Sequence, residues 1–106
     1  MAETAGLNHL GLSVYDLDQT TAFFTEVLGW QEIARDDSYP RNAVTDGNLR
    51  LTLWQVNREQ PVTGFDRRTN VGLHHLAIEI ESDAKLAELA DKVAAWPGVA
   101  IEFMPE

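Results

Sequence analysis

The residues of this 106-residue chain best suited to chemistry are histidines that recur at the same step of two matching segments. Leu7-Asn8-His9-Leu10-Gly11-Leu12-Ser13-Val14 superimposes on Leu73-His74-His75-Leu76-Ala77-Ile78-Glu79-Ile80 with a shift of 66 positions. His9 then falls on His75, Gly11 on Ala77 and Val14 on Ile80. Imidazole nitrogen suits Zn, Ni, Mn, Fe or Co, and two symmetry-matched strands can bring two imidazoles to one divalent ion. One strand histidine is ordinarily structural; two at matched positions favour a metal pair, His9 with His75. The third histidine, His74, is expected at the core edge or the surface. The available carboxylates are Glu79, two residues along from His75, and Glu102 near the end of the chain. The ordinary reading of each is a solvated surface group, so the third metal ligand is left open.

Alternation of period two assigns the faces. Leu10, Leu12 and Val14 share one side of the first segment, and His9, Gly11 and Ser13 the other. In the second segment His75, Ala77 and Glu79 share a side, with His74 opposite. The small Gly11 and Ala77 leave room beside the imidazoles, as a ligand cavity needs. Arg50, Thr52 and Trp54 alternate on a later segment and join Gly11, Ser13, Ala77 and Glu79 as the expected pocket lining. Aromatic residues at such positions are equally at home in simple packing. No catalytic residue is assigned, since no nucleophile elbow, GxGxxG or phosphate-loop pattern occurs.

The elements that must carry these residues can be read in order. Asp16 caps a helix whose stripe is Leu17, Thr21, Phe24 and Leu28, widened by Ala22, Phe23 and Val27, with Gly29 at its end. Strands are predicted at Trp30–Arg35, Asn42–Thr45 and Leu49–Val56, with a turn at Asp36–Pro40 and a hairpin at Asp46-Gly47-Asn48. Residues 58–70 form a polar connector with Pro61 and Gly64. The pattern then restarts with a strand at Leu73–Ile80 and a helix capped by Ser82 or Asp83, striped by Leu86, Leu89, Val93 and Trp96. Pro97-Gly98 stops that helix, and a strand follows at Val99–Phe103. The fold class is α+β: one domain over 1–106 of paired βαβββ modules, module one about 6–57 and a partial module two about 71–106. By analogy with module one, about 20–30 residues of module two are expected to be absent.

Composition narrows the partners. Apolar residues at 44% and charged residues at 24% describe a globular chain, and zero cysteines exclude disulfides and thiolate ligands. A net charge of −9 disfavours nucleic acid and anionic lipid. The apolar runs are too short for a membrane span, and the N-terminus has no signal-peptide pattern. We therefore expect a cytoplasmic protein that acts on a small molecule. Strand edges in so small a unit need covering, which suggests a homodimer.

Gly6-Leu7-Asn8-His9-Leu10, Val14-Tyr15-Asp16-Leu17, Ala22-Phe23-Phe24, Leu28-Gly29-Trp30 and His74-His75-Leu76-Ala77-Ile78 together resemble vicinal-oxygen-chelate proteins. That superfamily includes glyoxalase I, fosfomycin-resistance thiol transferases, extradiol dioxygenases and bleomycin-resistance proteins. The resemblance covers nearly the whole chain and implies that His9 and His75 are ligands of a divalent metal. Thr52 stands where glyoxalase I often has a glutamate, and Gly11 replaces the threonine of the fosfomycin enzymes. What the resemblance implies is a metal-dependent small-molecule enzyme of lyase, isomerase, thiol-transferase or dioxygenase type, or a truncated form of one. The alternative is a non-catalytic antibiotic-binding protein of the bleomycin-resistance type, whose cationic ligands the negative charge would attract.

Overall fold

A computed structural model describes residues 1–105. The chain divides into two compact units, Met1–Asn57 and Arg58–Glu106. The first unit runs β1 (Leu10–Val14), α1 (Leu17–Ala22), a π-helical segment Phe23–Val27, β2 (Gln31–Asp36), β3 (Arg41–Thr45) and β4 (Arg50–Gln55). Its four strands form one mixed, curled and unclosed sheet in the order β1-β4-β3-β2. β1 runs parallel to β4, which needs a crossover; β4-β3 and β3-β2 are antiparallel and joined by short turns. The fold class is thus α+β, as the sequence predicts.

Local chemistry accounts for the boundaries. Asp16 caps α1 by accepting the N–H of Gln19 at 3.0 Å. The single predicted helix instead opens into a wider turn after Ala22. There the Thr25 hydroxyl donates to the Thr21 carbonyl at 3.1 Å, occupying its α-helical acceptor, and Leu28 N–H reaches back to Phe23 at 3.3 Å. Gly29, at φ +73°, turns the chain so that Trp30 N–H donates to the Phe24 carbonyl at 2.9 Å. Trp30 is therefore not the first residue of β2, as the sequence suggests, but a buried side chain whose ring centre lies 4.9 Å from that of Phe24, tilted by 56°. At the hairpin, Asp46 accepts the N–H groups of Asn48 and Leu49 at 2.8 and 2.7 Å, and Gly47 supplies φ +100°.

The helical segment packs on one face of the sheet. Leu17, Phe24, Val27, Trp30, Val44, Leu51 and Leu53 are buried there. The buried amide of Asn42 crosses to the helix and the neighbouring strand, donating to Thr21 Oγ1 at 3.4 Å and to Glu32 Oε1 at 2.6 Å. The other face carries the register neighbours Gly11, Thr52 and Ala43, then Ser13, Trp54 and Arg41.

The second unit contains α2 (Asp83–Ala95), capped by Ser82, whose hydroxyl accepts Lys85 N–H at 3.1 Å. None of its residues is buried. The strands predicted at 73–80 and 99–103 are a correction: neither segment joins a sheet ladder among the described residues. The physical reason is pairing. In the first unit β1 is held by β4, and residues 73–80 have no corresponding partner among the described residues. The alternation nevertheless persists, with Leu76, Ile78 and Ile80 half-buried and His75, Ala77 and Glu79 exposed.

Candidate functional site

His9 immediately precedes β1 and is exposed. Its Nδ1 lies 2.8 Å from Asn8 Oδ1, an acceptor, so Nδ1 donates and Nε2 lies outside that bond. This is the arrangement in which a ring-nitrogen partner prepares the other nitrogen to bind a metal. Asn8 is thus a residue the pattern reading passed over, and its adjacency in sequence was the available signal.

Along the same sheet face, Gly11 and Ser13 are exposed. Gly11 pairs with Thr52 and Ser13 with Trp54, so the structure does bring together four of the residues assigned to the pocket. Arg50 lies at the far end of β4 on this face, exposed, opposite Thr45. Two residues not anticipated complete the cluster. Tyr39 meets the Trp54 ring edge-to-face at 5.2 Å, and the Arg41 guanidinium lies 5.5 Å from its centre. Arg41 sits opposite Trp54 in the β3–β4 register, which the sequence could reveal only once that register was known.

In the second unit His74 and His75 stand together, with their Nδ1 atoms 2.8 Å apart and their rings nearly perpendicular at 84°. One of the two nitrogens must donate and the other accept, leaving both Nε2 atoms outside the bond. His74 is exposed, the surface alternative of the sequence reading, and its ring nitrogen is engaged by His75. The pair lines a depression of about 730 Å³ with Arg67, Glu102, Phe65 and Phe103. Glu102 accepts from Arg67 at 2.9 Å, an ion pair between exposed side chains. Ala77 and Glu79 are exposed in the adjoining segment and do not line it. Among the described residues, no three histidine, aspartate or glutamate side chains converge as a metal-binding group.

Carboxylates elsewhere in the first unit are tuned by local donors. Asp36 is held below the ordinary carboxylate range, first by the Ser38 hydroxyl and then by Ser38 N–H. Asp46 is lowered by the N–H groups of Asn48 and Leu49. Arg35 is raised by its hydrogen bonds to Asp37 and Asp18.

The family model of the Glyoxalase/Bleomycin resistance protein/Dioxygenase superfamily matches residues 6–101. The chain belongs to this superfamily. Human mitochondrial methylmalonyl-CoA epimerase is 30% identical over 94 residues, covering 81% of this chain and 53% of that protein. A 2-epi-5-epi-valiolone epimerase from Actinomyces sp. is 29% identical over 120 residues, covering 94% and 63%. A glyoxylase/bleomycin resistance protein/dioxygenase domain from Frankia sp. EAN1pec superimposes with a TM-score of 0.73 at 30% identity, covering 87% of this chain and 69% of that one. The fosfomycin resistance protein FosX of Listeria monocytogenes shares the fold, with a TM-score of 0.64 at 22% identity over 87% and 65% of the two chains. This superfamily member spans about half the length of its mammalian curated relatives. No helix among its described residues is long and apolar enough to cross a membrane.

Proposed function

We propose that this chain carries two histidine ligands of a divalent-metal-dependent enzyme acting on a small molecule, of the isomerase type. Two differently named relatives, both epimerases, support the isomerase class over lyase, thiol-transfer and dioxygenase chemistry. The observation that carries the metal reading is the matched pair His9 and His75, each with one ring nitrogen engaged and Nε2 left over. Such a donor set fits Zn, Ni, Mn, Fe or Co, and a variant of the Listeria fosfomycin protein is complexed with Mn(II). When bound, the ion supplies Lewis acidity toward adjacent substrate oxygens. The chain's own contribution is to fix the imidazoles: Asn8 holds the His9 ring, and His74 holds that of His75. Gly11 and Ser13 leave the neighbouring sheet face open to the substrate.

An epimerase moves a proton on and off a carbon beside a carbonyl. With Co(II) or Mn(II) added, the protein should catalyse deuterium uptake from D2O at the α-carbon of a 2-methylmalonyl thioester. The metal content of the loaded protein, measured separately, should fall at least about tenfold in a His9→Ala/His75→Ala double variant. Unchanged metal content in that variant would sink the ligand assignment, whereas retained metal without exchange would sink the reaction class. A cytoplasmic homodimer belongs to the same reading, supported by the outer edges of β1 and β2. A solution mass of one chain would remove the dimer.

A further inference from the structure

The open face of the first unit's sheet has a chemical character that the metal reading leaves unused. Trp54 is braced by Tyr39 and Arg41, yet it remains 36% exposed. Beside it, a methyl group built on Gly11 would stand 3.7 Å from Trp54 Nε1, so the missing side chain keeps space open next to the indole N–H. No hydrogen bond among the described residues engages the indole N–H, the Ser13 hydroxyl or the Arg50 guanidinium. The indole and the guanidinium are donors only, and the hydroxyl can donate. The single carboxylate on this face of the strands, Asp36, is already committed. It accepts from Ser38 N–H at 3.0 Å and Ser38 Oγ at 2.6 Å, and it lies 3.7 Å from Arg41. A chain of net charge −9 thus presents two guanidiniums and free donors on the face that carries the exposed rings of Trp54 and Tyr39.

We propose that this face selects small organic anions in which a flat apolar group and a carboxylate are joined by a short chain. The flat group packs on Trp54 in the space beside Gly11, and the carboxylate is taken by Arg50. Four steps along β4 separate the two, about 13 Å by strand rise, a distance that a short linker and the arginine side chain cover together. Donor-only groups reward an acceptor and penalise a cation, which opposes the attraction of cationic antibiotics suggested by net charge. The inference names a ligand class for the proposed enzyme, and it rests on that reading only in treating this face as the ligand's side.

The test is a titration of the full chain in EDTA, following the Trp54 indole N–H resonance. The probe is 4-phenylbutyrate, compared with 4-phenylbutanol, butyrate and 4-phenylbutylamine. 4-Phenylbutyrate should shift the resonance saturably and bind at least about tenfold more tightly than the alcohol or butyrate, and the amine should not bind. Arg50→Gln, Gly11→Leu and Trp54→Leu should each weaken 4-phenylbutyrate at least about fivefold, the last followed on the Ser13 amide. The His9→Ala/His75→Ala variant should bind it as the parent does, which separates this inference from the fate of the metal reading. Equal or tighter binding of the amine would overturn the proposal. So would indifference to Arg50→Gln and Trp54→Leu together, or loss of binding in the double histidine variant.

Discussion

Residues 7–14 and 73–80 have nearly the same alternation of side chains, but the two units put it to different use. In the first, Leu10–Val14 is a strand bonded to β4, and Leu51, Leu53 and Val44 behind it are fully buried. In the second, residues 73–80 keep the alternating exposure without a ladder among the described residues, and the neighbouring α2 buries none of its residues. The difference lies in partners rather than in propensity. A strand is a relation between two segments, because its N–H and C=O groups must be satisfied by a neighbour. Where β4 supplies that neighbour, apolar alternation becomes a core; elsewhere the same residues remain a pattern.

The sharpest way to break this contrast is to truncate one leucine in each unit. Leu53→Ala should destabilise the protein by about 3 kcal/mol in urea unfolding, because it opens a cavity in a closed core. Leu86→Ala, on the exposed side of α2, should cost no more than about 0.5 kcal/mol. Comparable losses would mean that the second unit is as well packed as the first. Hydrogen exchange should sharpen the comparison next. Amides of β3 and β4 should exchange at least about 100-fold more slowly than those of residues 73–80. Equal protection would reveal a ladder in the second unit.

The smallest effect is confined to the first unit's hairpin. Asp46 is depressed by the Asn48 and Leu49 N–H groups, so its ionised form is favoured by folding. The unfolded state then binds more protons, and the contribution is present above the unfolded value near pH 4 and fades as pH falls through the lower folded value. Asp46→Asn should therefore flatten the acid limb of the stability profile, lowering stability modestly at neutral pH and changing it little once the parent's Asp46 is protonated. An unaltered acid limb would assign it to other carboxylates, Asp36 first among them.

Much of the fold was legible because it depends on near neighbours. The Asp16 and Ser82 caps, the turn at Gly29 and the Asp46 hairpin each involve residues a few positions apart, and each forms where the pattern places it. The matched histidines and the motif around them also pointed to the superfamily. Less legible were features requiring two distant segments at once. Tyr39 and Arg41 join Trp54 only through the β3–β4 register, and Trp30 leaves β2 for the core because Gly29 turns it onto Phe24.

The sequence by itself therefore determined local conformation, the faces of its strands, and which imidazoles carry matched positions. Those properties follow from backbone chemistry and a period of two, both expressed within a few residues. Only the tertiary structure decided which alternating segment is a strand and that Tyr39 and Arg41 gather on Trp54. These depend on hydrogen bonds and packing between residues far apart in the chain, and no local pattern specifies such pairings.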